Sequence, residues 1–121
     1  SKGKAAYLKN LAQFALTNSM DLDYIESMSD DEIITYLTQV KGIGKWTVEM
    51  ILIFSLNRPN IFPVDDLAIK QTMMELYKLS GSGNVLIRKL EEIASKWSPN
   101  RTIATLYLWE YANDKKKRIK K

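Results

Sequence analysis

The 121-residue chain contains no cysteine and no histidine. Without cysteine there are no disulfides, no zinc–thiolate sites and no cysteine-ligated iron–sulfur cluster. Without histidine there is no Ser–His nucleophile, no imidazole metal site and no imidazole proton shuttle, which leaves carboxylates, lysines and tyrosines as candidate acids, bases and nucleophiles. Only five glycines and three prolines punctuate the chain, and no segment alternates strictly between apolar and polar residues. That argues against strands and for an all-α domain. No apolar run approaches the roughly 20 residues that a membrane span requires, and Ser1-Lys2-Gly3-Lys4 leads into no signal-peptide core. The expectation is an intracellular protein, cytoplasmic and nucleoid-associated in a prokaryote or nuclear in a eukaryote.

What is present is the balance of a globular protein, 45% hydrophobic and 26% charged, with a length that suits one domain. The net charge of +4 is unevenly placed. Six of the 18 basic residues lie in Lys115-Lys116-Lys117-Arg118-Ile119-Lys120-Lys121, and the rest of the chain holds 12 basic against 14 acidic residues, a net of −2. Overall charge therefore argues weakly for nucleic acid. The tail reads either as a solvated, frayed end or as a nonspecific attractor of phosphate.

Periodicity predicts about six to seven helices. The first spans roughly Lys4 to Leu16, with Ala5, Leu8, Leu11, Ala12 and Leu16 on one face. A short one lies near Leu22 to Met28. Ser29-Asp30-Asp31-Glu32 is a capping-box signature that starts a helix running to about Gln39. Lys45 to Leu56 is apolar on most faces and reads as a buried central helix. Asn57-Arg58-Pro59-Asn60 is a loop, and Phe62-Pro63-Val64 is extended ahead of a helix from Asp65 to about Leu79. After the flexible Ser80-Gly81-Ser82-Gly83-Asn84 come a helix over Val85 to Lys96 and a last one begun by Ser98-Pro99 and ending near Asn113. The expected organisation is a helical core over residues 1–113 followed by a basic tail over 114–121.

Between two of these helices stands Val40-Lys41-Gly42-Ile43-Gly44-Lys45-Trp46-Thr47. Glycines one apart permit unusual backbone angles and the close approach of another molecule to bare amides. The helix beginning after Gly44 points its positive end at the turn, which favours an anion, and Lys41 and Lys45 add charge. A Gly-x-Gly turn alone reads more readily as a simple tight helix–helix connection. Buried-type Val40 and Ile43 on either side favour a binding turn, pinned by its apolar residues with its amides outward. The second segment is Phe62-Pro63-Val64-Asp65-Asp66-Leu67, a rigid apolar lead-in that presents two carboxylates at a helix start, 22 residues past the hairpin. Either aspartate also suits an ordinary helix cap.

Hairpin, double aspartate and the closing segment Trp97-Ser98-Pro99-Asn100-Arg101-Thr102-Ile103-Ala104-Thr105-Leu106-Tyr107-Leu108-Trp109 together resemble the helix-hairpin-helix DNA glycosylase superfamily, over nearly all of Ser29 to Ala112. The resemblance implies a compact helical fold containing the helix-hairpin-helix motif, with Gly42, Ile43, Gly44, Lys45 and Thr47 binding a DNA phosphate without reading sequence. It also implies a monovalent cation, Na+ or K+, on the carbonyls of Thr38, Val40 and Ile43, with no other cofactor, and Asp66 as the catalytic carboxylate with Asp65 as an ordinary cap. Bifunctional members carry a Schiff-base lysine where this chain has Trp46, and Lys45 is one residue too early, about 100° around the helix. The match is thus to the monofunctional 3-methyladenine DNA glycosylase II group, whose Gly-Ile-Gly-x-Trp-Thr signature is present.

That group implies hydrolysis of the N-glycosidic bond of alkylated bases flipped out of duplex DNA, in base excision repair. Its base pocket would include Trp46 and Trp109, either of which also reads as plain core, and Met50, which stands where some members have a tyrosine. Members of the group carry further helices upstream that are not recognised here, so the chain is expected to be either a fragment, completed by an upstream segment or a partner chain, or a naturally reduced domain. The competing expectations are a helix-hairpin-helix module that binds DNA without catalysis, and a helical interaction domain with no DNA role.

Overall fold

The structure, a computed structural model, describes residues 22–120. The helix expected over Lys4 to Leu16 lies outside the described residues. Within them the chain is helical throughout, with no strand: α1 Leu22–Glu26, α2 Asp30–Leu37, α3 Lys45–Phe54, α4 Leu67–Leu76, α5 Gly83–Ser95 and α6 Arg101–Lys120. By its internal contacts the chain divides between Asn57 and Arg58 into two compact units.

In the first unit, Ser29 caps α2 as its sequence predicts. The hydroxyl accepts from the Glu32 amide at 3.2 Å, and the Glu32 carboxylate accepts from the Ser29 amide at 2.9 Å. Two amide donors that the helix cannot use internally are thereby satisfied. Ile33 and Leu37 turn inward from α2, and Val48, Leu52 and Ile53 from α3, all buried. Tyr24 meets Tyr36 edge to face at 6.2 Å. Past α3, Asn57 adopts φ 54°, a left-handed conformation that asparagine tolerates better than most residues and that ends a helix cleanly.

The second unit is built on Phe62, Val64, Ile69, Met73, Leu86, Leu90, Ala94 and Leu108. Trp97 packs its ring against Phe62 at 6.0 Å, and α4 lies against α6. Several helix ends differ from the sequence reading; α4 stops at Leu76 and not near Leu79, and α5 begins at Gly83, inside the stretch expected to be a flexible connection. α4 begins at Leu67, because Asp66 serves as its cap. α6 begins at Arg101 and not at Ser98-Pro99, because the cap comes from outside the helix: the Arg101 amide donates to Asn60 Oδ1 at 3.4 Å and the Thr102 amide to the Pro59 carbonyl at 2.9 Å. Nor does α6 stop near Asn113; it continues through the basic segment to Lys120. Lysine and arginine are good helix formers and their charge suits a helix C-terminus, and Lys115 Nζ pairs with Glu75 of α4 at 2.6 Å.

Candidate functional site

The hairpin belongs to the first unit and joins α2 to α3. Thr38 caps α2, its amide and its hydroxyl both donating to the Ile34 carbonyl, at 3.0 and 2.6 Å. The chain then tightens through Val40 N–H to Leu37 O at 3.1 Å and Ile43 N–H to Val40 O at 3.0 Å. Val40 and Ile43 are 4% and 5% exposed, while Lys41, Gly42, Gly44 and Lys45 face out. The apolar pair pins the turn and the glycines are left outside, as the sequence predicts.

The two glycines serve different ends. Gly42 sits at φ 90°, where a side chain would be strained. Gly44 is the cap residue of α3 at φ −99° and ψ 179°, an extended conformation open to any residue, and a Cβ there would meet nothing within 4 Å. Of the two glycines, Gly42 uses the positive angle that glycine permits. What Gly44 leaves is space above the start of α3, whose first turn has neither a side-chain cap from Gly44 nor an acidic residue. Basic Lys41 and Lys45 flank that positive helix end in the sequence, a pattern that favours an anion.

On α3, Trp46 is 47% exposed and is not a core residue. Thr47 and Met50 are half-buried. Glu49, a carboxylate the sequence reading passed over, is buried at 4% exposure one turn beyond Lys45. The carbonyls of Thr38, Val40 and Ile43 offer only neutral oxygen donors, which suit a hard monovalent cation. Val40 O accepts from Ile43, while Thr38 O and Ile43 O enter none of the turn and cap hydrogen bonds among the described residues. The donor set fits such an ion.

The aspartates belong to the second unit. Phe62, Pro63 and Val64 are buried, and a turn closes from the Asp66 amide to the Pro63 carbonyl at 3.0 Å. Asp65 is exposed and Asp66 half-buried. The capping role expected of Asp65 falls to Asp66, whose Oδ1 accepts from the Ile69 amide at 3.1 Å. The turn at Pro63 delays the helix by one residue, so the second carboxylate and not the first meets the opening amides. The same oxygen accepts from the indole N–H of Trp109, on α6, at 3.2 Å. Trp109 is half-buried against the core of this unit, and its polar edge is turned to the carboxylate.

The stretch that delivers Asp66 is also held at its other end. Thr102 Oγ1 donates to the Arg58 carbonyl at 2.6 Å and accepts from the Ile61 amide at 2.9 Å. Buried Thr105 lies 3.0 Å from the Ile61 carbonyl. Arg101 donates through Nε to Asn60 Oδ1 at 2.8 Å and through Nη2 to the Asn60 carbonyl at 3.0 Å. Arg101, Thr102 and Thr105 lie in the closing segment that carries the family resemblance, but no role for them was read from the sequence. The threonines carried a faint signal, since Thr102 and Thr105 fall at helical spacing with Trp109 and hydroxyls are uncommon on a buried face.

No family model matches the chain. Against individual proteins it is 40% identical over 112 residues to DNA-3-methyladenine glycosylase 1 of Schizosaccharomyces pombe, an alignment of 91% of this chain and 48% of the relative. The structure superposes with a TM-score of 0.79 and 37% identity on a Schizosaccharomyces pombe 3-methyladenine DNA glycosylase in complex with abasic DNA, covering 93% of this chain and 54% of that one. A DNA-3-methyladenine glycosidase from Bacillus halodurans superposes with a TM-score of 0.75 and 33% identity, over 93% of this chain and 51% of that one. The chain thus spans about half the length of these relatives.

Proposed function

The chain is related to the helix-hairpin-helix DNA glycosylases of the 3-methyladenine group, and from that footing we propose that it carries the phosphate-gripping hairpin and the catalytic aspartate of a monofunctional glycosylase acting on alkylated bases in duplex DNA. The observation that carries the reading is Asp66, a half-buried carboxylate held by two N–H donors on one oxygen at the mouth of a helix.

Breaking the bond between a base and its sugar develops positive charge on the sugar. A fixed carboxylate in a site shielded from water lowers that barrier electrostatically and orients the water that completes hydrolysis. An alkylated purine already bears positive charge and leaves readily, so the reaction makes no demand for a strong general acid, and the lack of histidine is no obstacle. With the base flipped out of the stack, exposed Trp46 with half-buried Met50 in the first unit, and half-buried Trp109 in the second, are the side chains that the family resemblance assigns to the base. An indole face favours an electron-poor, cationic base over a normal one.

The hairpin would hold a backbone phosphate through the amides around Gly42, Ile43 and Gly44, with Lys45 and Thr47 on the same first turn. A monovalent cation on the carbonyls of Thr38, Val40 and Ile43 would add positive charge beside that phosphate and brace the turn.

Because the chain spans about half of its relatives, a second reading is a DNA-binding piece whose chemistry needs further helices, upstream or from a partner. Methylated duplex DNA separates the two. The glycosylase reading expects release of free base that Asp66→Asn abolishes while the dissociation constant for DNA changes little. Binding without release by the unaltered protein favours the second reading. Gly44→Ala adds a methyl group in open space, so it should leave the thermal midpoint unchanged and weaken DNA binding; an unaltered affinity would remove the hairpin from the interface.

A further inference from the structure

Resting on the reading of Asp66 as the reacting carboxylate, we propose that Trp109 is a positioning residue whose indole N–H fixes the orientation of that carboxylate, a role separate from any contact of its ring with the base. A helix-capping aspartate with one amide partner keeps considerable freedom, since its carboxylate can rock about the terminal bond, a soft and roughly two-fold torsion. Here Oδ1 has a second donor at 3.2 Å, from a side chain 43 residues away on another helix. Two donors converging on one oxygen, one from α4 and one from α6, define the plane of the group where one alone does not.

The donor is itself held. Thr102, Thr105 and Trp109 recur at spacings of three and four and so share one face of α6. The first two grip the backbone of Arg58 and Ile61 and the third grips Asp66. One helix face therefore fastens both ends of the segment that delivers the carboxylate, and Arg101 locks the near end through Asn60.

The choice of side chain also suits the chemistry. An indole N–H donates and cannot accept, and it carries no charge. It orients a carboxylate without neutralising it, whereas lysine or arginine in its place would cancel the negative charge needed opposite a developing sugar cation.

Trp109→Phe keeps an aromatic ring and removes the donor. In single-turnover base release on methylated DNA with protein in excess, the variant should be slower by about tenfold or more while its DNA dissociation constant stays within about twofold. A purely stacking residue would keep the rate on substitution by phenylalanine, and a residue that only supports the fold would lose binding along with rate. Exchange of the Trp109 indole proton, followed by NMR in the free protein, reads the contact without any activity. It should be protected in the wild type and in Asp66→Asn, which retains an acceptor oxygen, and exchange several-fold faster in Asp66→Ala. A wild-type rate for Trp109→Phe, or indole exchange indifferent to Asp66→Ala, overturns the proposal. A wild type that releases no base overturns the glycosylase reading instead, and the exchange comparison still decides whether the contact exists.

Discussion

At Ser29 and Glu32 two neighbouring side chains close a reciprocal pair of hydrogen bonds that needs nothing from the rest of the protein. The Ser29 amide donating to the Glu32 carboxylate, aided by the Ser29 side chain, holds that carboxyl below its ordinary value. A lowered carboxyl stabilises the fold at pH above the value it has in the unfolded chain, and that contribution is lost as the pH falls through the folded value. Glu32→Gln keeps a capping side chain and removes the titration. The difference in thermal midpoint between wild type and Glu32→Gln should therefore shrink as pH is lowered from roughly 7 to 3, around the ordinary glutamate range. A constant difference would show that the carboxylate does not act through this cap. Ser29→Ala should cost about 1 kcal/mol at neutral pH by denaturant unfolding. At the same scale the two neighbouring aspartates differ: Asp65 is exposed, and Asp66 accepts from donors on two helices.

Among the elements, α6 departs most from its sequence reading. A serine followed by a proline is a sound start signal, yet the helix begins two residues later because Asn60 and Pro59 accept from its opening amides. A cap supplied from about 40 positions away leaves no local mark. The threonines behave likewise, for their function lies in what they meet. Thr105 is fully buried, with its hydroxyl oxygen 3.0 Å from the carbonyls of Ile61 and Arg101. Thr105→Val keeps the shape and withdraws the donor from the Ile61 carbonyl, and should destabilise the protein by about 1–3 kcal/mol in urea unfolding. A neutral substitution would mean that the carbonyl finds water or another donor. The hairpin element, by contrast, was legible: Val40 and Ile43 are buried and the glycines exposed, as apolar and small residues in that order require. The two properties expected of the glycines are divided between them: Gly42 takes the positive backbone angle and Gly44 leaves the open space.

Across the whole molecule the positive charge is concentrated at one end of the sequence, and the structure shows that end to be the continuation of α6 through Lys120. No helix of the described residues is long and apolar enough to cross a membrane. Lys116, Lys117 and Arg118 are exposed and belong to a helix whose earlier turns hold the segment that bears Asp66. If they attract DNA, replacing the three by glutamine should weaken duplex binding at low salt and flatten the dependence of affinity on salt by roughly 0.9 for each phosphate that is no longer neutralised. An unchanged slope would leave phosphate recognition to the hairpin alone.

The sequence by itself determined the helical class, the capping box, the pinned glycine hairpin and the segment from which the carboxylate comes, because each depends on residues a few positions apart whose propensities and spacing act locally. Only the tertiary structure decided that Asp66 and not Asp65 caps α4, that Trp109 turns its N–H to that carboxylate, that α6 is capped by a distant asparagine and that the basic segment is helical. Those outcomes depend on partners brought together across about 40 residues of chain, and a hydrogen bond between distant groups leaves no periodicity in the sequence by which it could be read.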